Sequence, residues 1–87
     1  MKTFKLIVSS PDGNVFEGEI AQLILRGAGG DLAVMAGHIP FITPVKPGVC
    51  RLFAEDGSET VAKTAGGLLT VANEGTTLLS DSFEWVG

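Results

Sequence analysis

His38, Asp31 and Cys50 are the residues whose side chains could support catalysis or metal binding in this chain of 87 residues. An imidazole oriented by a carboxylate can act as a general base, and the same two groups can bind a metal ion. A thiol beside an imidazole can act as a nucleophile. Each of these sites needs a third group, and the chain has no second histidine or cysteine to supply it. We therefore predict no catalytic residue, no metal site and no cofactor, and interpret His38 as a residue that hydrogen-bonds across a loop or contacts a partner.

Cys50 alternates with Leu52 and Ala54 in a run that includes the charged residue Arg51. Alternation at period two is typical of a β-strand with one buried face. A free cysteine on such a face behaves as a small hydrophobic residue, so we predict that Cys50 is buried and not a nucleophile. A single cysteine also cannot form an intrachain disulfide, which fits a reducing, cytoplasmic compartment.

The glycine-rich run from Gly27 to Asp31 is the other segment that could bind a ligand. Phosphate-binding loops place such glycines before a Gly-Lys-Ser/Thr sequence and the amino terminus of a helix. Neither feature follows here, so we predict no nucleotide binding and interpret the glycines as a tight connection between strands. Asp31 is the sole charged residue from Gly27 to Val45. It is therefore either a specificity contact for a partner or an ordinary solvated turn residue.

The composition excludes some classes of partner. Ten acidic and six basic residues give a net charge of -4, the wrong sign for binding nucleic acid. Charged residues make up 18% of the chain, below the roughly 25% typical of soluble domains, so part of the surface is expected to contact another protein. The residues before Pro11 leave no room for a signal-peptide core, and no run is long enough to span a membrane. Any membrane association is expected to be peripheral, through another protein.

Short strands are the elements that must position these residues. Glycine and proline interrupt the sequence so often that the longest run without either, Thr76 to Val86, has eleven residues. Between the interruptions, apolar residues alternate at period two, as in Phe4, Leu6 and Val8, which is typical of half-buried strands. The sequence predicts a single all-β domain over residues 1–87, an antiparallel two-sheet β-sandwich or flattened barrel of about 8–10 strands.

Clusters of turn residues divide the predicted strands. Asp56-Gly57 predicts a two-residue hairpin of type I′, in which both central residues have positive φ. Asn73 to Gly75 predicts another hairpin, and Pro11 to Asn14 separates the first two strands. Gly66-Gly67 predicts a bulge or a corner where one sheet gives way to the other. The carboxyl end from Phe83 is consistent with a short helix or with a segment along a sheet edge.

Four segments resemble, in order and at similar spacing, the epsilon subunit of F-type ATP synthase, specifically its amino-terminal β-sandwich. The family signature Gly-Glu-Leu-Gly-Ile-x-Pro-Gly-His-Ala-Pro is similar to Gly30–Pro40. The other segments are Pro11–Glu19, Lys46–Gly48, and Gly66–Val71 followed by Thr77–Asp81. The resemblance extends from Met1 to about Ser82, nearly the whole chain.

The resemblance implies a non-catalytic rotor subunit at the foot of the central stalk, on the cytoplasmic face of the cell inner membrane. One face would lie against the gamma subunit and one end on the polar loops of the c-ring, so that proton- or sodium-driven rotation of the ring is coupled to gamma. It further implies that the loop carrying Gly30, Asp31 and His38 contacts the c-ring and that Ser10 and Ile42 lie near gamma. The alternative is a free-standing β-sandwich that binds an unrelated protein through the same apolar loop.

The chain departs from the family pattern at three places. Asp31 replaces the usual glutamate, which keeps the charge and shortens its reach. Ala33 and Ala36 stand where glycine and proline are common, so the loop is expected to bend differently. Many members continue past the position of Gly87 into a helical carboxyl-terminal domain, and we expect a short form without it.

Overall fold

The computed structural model describes residues 2–86, which form strands and turns without a helix. Met1 and Gly87, which belong to the predicted domain, lie outside the described residues. The prediction of an all-β fold is confirmed. The ten strands are β1 (Phe4–Ser10), β2 (Gly13–Ile20), β3 (Gln22–Gly27), β4 (Gly30–Met35), β5 (Phe41–Val45), β6 (Gly48–Phe53), β7 (Glu59–Thr64), β8 (Gly67–Ala72), β9 (Gly75–Ser80) and β10 (Phe83–Trp85).

The strands form two layers that meet to make a nearly closed sandwich. The first layer has the order β4-β3-β6-β7-β10, and the second layer has the order β5-β8-β9-β1-β2. The layers are joined where β3 pairs with β5, through Gly27 and Val45. The predicted antiparallel arrangement holds for every pair except β1 and β9, which run parallel. No turn fixes the relative direction of these two strands, because they come from opposite ends of the chain.

The inward faces of both layers form one hydrophobic core. The predicted alternation is confirmed in β1, β3 and β6, where every second side chain is buried. The carboxyl end is a strand, since β10 pairs with the edge of β7 and extends the first layer. The buried core residues are Leu6, Val8, Ile20, Leu23, Leu25, Val34, Val45, Cys50, Leu52, Ala62, Leu69, Val71, Leu78 and Phe83.

Gly66 and Gly67 form the predicted corner, where the chain passes from the first layer to the second. Gly66 has a φ of +100°, and a Cβ on it would lie 2.8 Å from the carbonyl oxygen of Val45. A Cβ on Gly67 would overlap the carbonyl oxygen of Leu79. The glycines therefore permit a close approach of backbone segments that no side chain would allow.

Buried hydroxyl groups join the two layers beside this corner. Ser80 Oγ donates to Ser82 O at 2.6 Å, so the Thr64 hydroxyl donates to Ser80 Oγ, 2.5 Å away. Thr64 Oγ1 in turn accepts a hydrogen bond from the N–H of Gly66 at 3.1 Å. The network holds β7 of the first layer against β9 of the second and satisfies the polar side chains that are buried there.

The β6–β7 hairpin confirms the predicted turn position but not its type. Gly57 N–H donates to Ala54 O at 2.9 Å, and Ala54 N–H donates to Ser58 O at 2.9 Å. Gly57 has a φ of +90°, whereas no non-glycine residue within residues 2–86 has a positive φ. Asp56 therefore cannot occupy a type I′ turn, and the loop is a type I turn followed by a bulge at Gly57. The Asp56 carboxylate accepts a hydrogen bond from Ser58 N–H at 2.9 Å, which lowers the pKa of Asp56.

We expect Gly57→Ala to lower the free energy of unfolding by about 1 kcal/mol, because alanine is strained at this φ. Gly29→Ala is the matched control, since Gly29 lacks a positive φ and a Cβ there would meet no atom within 4 Å. Urea unfolding of both variants measures the difference. Equal losses in the two variants would contradict the bulge.

Candidate functional site

The structure does not bring Asp31 and His38 together. Asp31 is the second residue of β4, whereas His38 follows the other end of this strand and donates its backbone N–H to Met35 O at 3.2 Å. The four steps from Asp31 to Met35 alone span about 13 Å of extended strand. The predicted single loop carrying both residues is therefore wrong. Val34 faces inward and is buried in the core. Its burial favours pairing of this part of the chain with β3 as a strand.

His38 makes a local side-chain hydrogen bond, to the carbonyl of the next residue and not across the loop. The side chain is exposed, and Nδ1 donates to Ile39 O at 3.0 Å, which places the imidazole proton on Nδ1. The ring centroid lies 4.9 Å from that of Phe41. These contacts orient the imidazole.

Cys50 is fully buried in the core, as predicted. Burial disfavours the thiolate and raises the pKa of Cys50 to about 11. The thiol is therefore protonated at neutral pH and unsuited to nucleophilic attack. Within residues 2–86, no group of three or more His, Cys, Asp or Glu side chains is arranged to hold a metal ion.

The strand pairings define two opposite ends of the sandwich. The Asp31 end carries the β1–β2, β3–β4, β5–β6, β7–β8 and β9–β10 turns. The His38 end carries the β4–β5 connection and the β6–β7 and β8–β9 turns. Ser10 lies at the Asp31 end, where its hydroxyl donates to Gly13 O and accepts from Asp12 N–H, each at 3.3 Å. Ser10 therefore stabilises the β1–β2 turn.

Asp31 at its end of the sandwich has cationic neighbours that the sequence did not reveal. Arg26 lies directly across from it on β3, with Arg26 Nε 3.7 Å from Asp31 Oδ1. The backbone N–H of Lys46 donates to Arg26 O at 2.9 Å. Arg26, Lys46 and the run Gly27–Asp31 line a shallow hollow of about 500 Å³. The carboxylate therefore lies in a locally basic environment.

The outer surface of the second layer carries an apolar face, which we define by Ile7, Ile42, Pro44, Leu68 and Leu79. Pro44, Leu68 and Leu79 are neighbours in one row across β5, β8 and β9. Ile42 and Ile7 lie in the next row, with Thr70 and Thr77 between them. Ile42 is 66% exposed and Leu79 is 50% exposed. None of these five residues is charged, and apolar side chains this exposed and contiguous indicate a contact with another protein. At the β1–β2 edge, Glu17 is the cross-strand neighbour of Ile7 and pairs with Lys5 at 3.3 Å.

The outer surface of the first layer carries charges on most of its strands. Besides Arg26 and Asp31, Arg51 pairs with Glu59 at 3.2 Å, and Lys63 is the cross-strand neighbour of Glu84. Val49, 45% exposed, lies among these charged side chains. Cross-strand pairs of opposite charge are typical of a sheet surface in contact with water. The two outer faces therefore differ in character.

Residues 3–86 match the model of the family described as ATP synthase, Delta/Epsilon chain, beta-sandwich domain. The chain belongs to this family. The family-level resemblance read from the sequence is thereby confirmed. Within residues 2–86, no helix of sufficient length and apolarity to span a membrane is found in this delta/epsilon domain.

Two solved structures share the fold of this delta/epsilon domain. A chain of the Euglena gracilis mitochondrial ATP synthase (OSCP/F1/c-ring, rotational state 1) aligns with a TM-score of 0.89 at 19% identity, over 95% of this chain and 53% of that chain. A chain of the Tetrahymena thermophila mitochondrial ATP synthase (central stalk/c-ring) aligns with a TM-score of 0.75 at 10% identity, over 94% of this chain and 66% of that chain. The domain thus spans about half to two thirds of the length of these chains.

The apolar face contains residues that sequence reasoning missed. Of its members, Ile42 alone was a predicted contact residue. The signal was present in Leu68-Leu69 and Leu78-Leu79, because consecutive apolar residues place apolar groups on both sides of a strand.

Proposed function

We propose that this delta/epsilon domain is a non-catalytic rotor subunit of a proton- or sodium-translocating ATP synthase. It couples rotation of the c-ring to the gamma subunit by binding both, without a cofactor or a nucleotide. The single observation that carries the proposal is the uncharged apolar face on the outside of one layer, in a chain of this family. The domain acts at the cytoplasmic face of the inner membrane and is held there through the ring.

The apolar face is the surface that we assign to gamma. It presents Ile42, Leu68 and Leu79 to solvent in the free domain, and association with a protein surface would remove these side chains from water. The opposite outer face, with its ion pairs, would lose favourable hydration on burial. Ser10 lies at the Asp31 end of the same layer, so we keep it as a residue near the rim of the gamma contact.

The Asp31 end is the part of the sandwich that we assign to the c-ring. Gly30 and Asp31 are exposed there, beside the two-residue turn between β3 and β4. The domain measures 29 × 29 × 25 Å, and His38 lies at its other end. A ring surface that receives Asp31 would have to extend around the sandwich to reach His38 as well. We therefore propose Gly30 and Asp31 as ring contacts and place His38 outside that contact.

The proposed mechanism is mechanical and depends on the stiffness of the connection between the two surfaces. The apolar face lies on the second layer and Asp31 lies on the first, and the two layers are joined by the pairing of Gly27 with Val45. The glycine corner and the hydroxyl network of Thr64 and Ser80 join them a second time at the same end. Torque applied at the ring would pass through these connections to gamma.

We expect Ile42→Asp to weaken binding to isolated gamma by about tenfold or more, because docking would bury an unpaired carboxylate. Val49→Asp introduces the same charge at an exposed position of the opposite outer face and serves as the control. Titration of labelled gamma with each variant at micromolar concentration measures the two affinities. No binding by the unmodified chain, or equal losses in both variants, would contradict the assignment. If native mass spectrometry showed a different predominant partner in cells, it would favour the alternative of a free-standing β-sandwich that binds an unrelated protein.

We expect Asp31→Lys to weaken docking onto the c-ring by about tenfold while leaving the fold intact, because charge reversal at an exposed rim mainly alters complementarity. Glu55→Lys makes the same change in the β6–β7 turn at the other end of the sandwich and should have no effect. ATP-driven proton pumping by the reassembled enzyme is the measurement. Pumping by the Asp31→Lys enzyme equal to that of the control would count against this end as the ring contact.

A further inference from the structure

Arg26 is held opposite Asp31 by the geometry of the β3–β4 hairpin. The turn between Gly27 and Gly30 contains only two residues, and the ladder continues from this pair to Arg26 and Asp31. Because this register places them as direct cross-strand neighbours, the guanidinium cannot move away without a rotamer change. The carboxylate of the proposed ring contact therefore already has a partner inside the free domain.

The ion pair between Arg26 and Asp31 is suited to exchange. The distance of 3.7 Å from Arg26 Nε to Asp31 Oδ1 is too long for a hydrogen bond, and the two side chains are 61% and 75% exposed. On the same outer face, Arg51 Nη1 donates to Glu59 Oε2 at 3.2 Å. Asp31 therefore keeps its hydrogen-bond acceptors available while its charge is partly neutralised.

Lys46 adds a second positive charge to the same hollow. It lines the hollow with Arg26 and the run Gly27–Asp31. A cationic group that approaches Asp31 from outside is therefore repelled by two cations while it is attracted by one carboxylate. Only a partner that places its cation in hydrogen-bonding contact with Asp31 would gain enough to displace Arg26.

We infer that Arg26 is a specificity-determining residue of the ring contact: it forms an ion pair with Asp31 that docking exchanges for one with a cationic group of the ring loops. The inference rests on the proposed function. It makes docking selective against an uncharged surface, which would offer Asp31 no replacement for the ion pair. It also predicts that removing the guanidinium strengthens binding, the reverse of what a positioning role for Arg26 would give.

The test is binding of the full 87-residue chain to purified c-rings in lipid nanodiscs, for the unmodified chain and for Arg26→Gln. At low ionic strength the variant should bind more tightly, by up to about fivefold, the range of exposed ion pairs. The gain should shrink in salt of about 1 M, where charges are screened within about 3 Å. In an Asp31→Asn background, Arg26→Gln should give a clearly smaller gain, because there is no longer a pair to exchange and only the repulsion by Arg26 is relieved.

Arg51→Gln, which removes the other arginine ion pair of the first layer, is the matched control and should leave ring binding unchanged. Unchanged or weaker binding of Arg26→Gln, with normal binding of the unmodified chain, would overturn this inference alone. Failure of the unmodified chain to bind rings would overturn the proposed function and this inference with it. A gain in the Asp31→Asn background equal to that in the unmodified chain would show that Arg26 acts by general repulsion and would also overturn the inference.

Discussion

Every strand of a two-layer sandwich has two faces, and in a chain of this size only one of them can be buried in the core. The inward faces of β1, β3, β6 and β9 fill that core with leucine, valine and Cys50. The outward faces are then free to differ, and they do. The first layer carries charges such as Arg51 and Glu59 along its inner strands, whereas the second carries Ile42, Leu68 and Leu79 on β5, β8 and β9 and has its ion pair of Lys5 and Glu17 at the β1–β2 edge. This difference is the basis on which we propose a docking function for the second layer.

The connections between the layers determine whether two separate surfaces can act as one body. Gly67 allows a close backbone contact with β9 that a side chain would block. The hydroxyls of Thr64 and Ser80 form a hydrogen bond between the two layers beside this glycine. These features lie at the Asp31 end, close in the fold to the surface proposed for the ring. The proposed transmission of torque depends on this kind of stiffness.

Local patterns in the sequence predicted most of the fold, because alternation and turn residues act over a few positions. The strands around Cys50, the turns and the glycine corner followed from such patterns. The type of the turn at Asp56 did not follow from such patterns. The sign of φ at Asp56 depends on the hydrogen bonds that the turn makes with Ala54 and Ser58. The segment around Asp31 was interpreted as one loop with His38, because its glycines obscured the alternation of Leu32 and Val34. The pairing of Arg26 with Asp31 depends on register across the hairpin, which spacing alone does not specify.

The central claim is that the apolar face of the second layer is covered by gamma while the charged face of the first stays in water. Hydroxyl-radical footprinting of the chain, free and bound to gamma, measures this directly through the oxidation of individual side chains. The account predicts strong protection of Ile42, Leu68 and Leu79 in the complex and unchanged oxidation of Val49. Protection of Val49 with undiminished oxidation of the apolar face would contradict it.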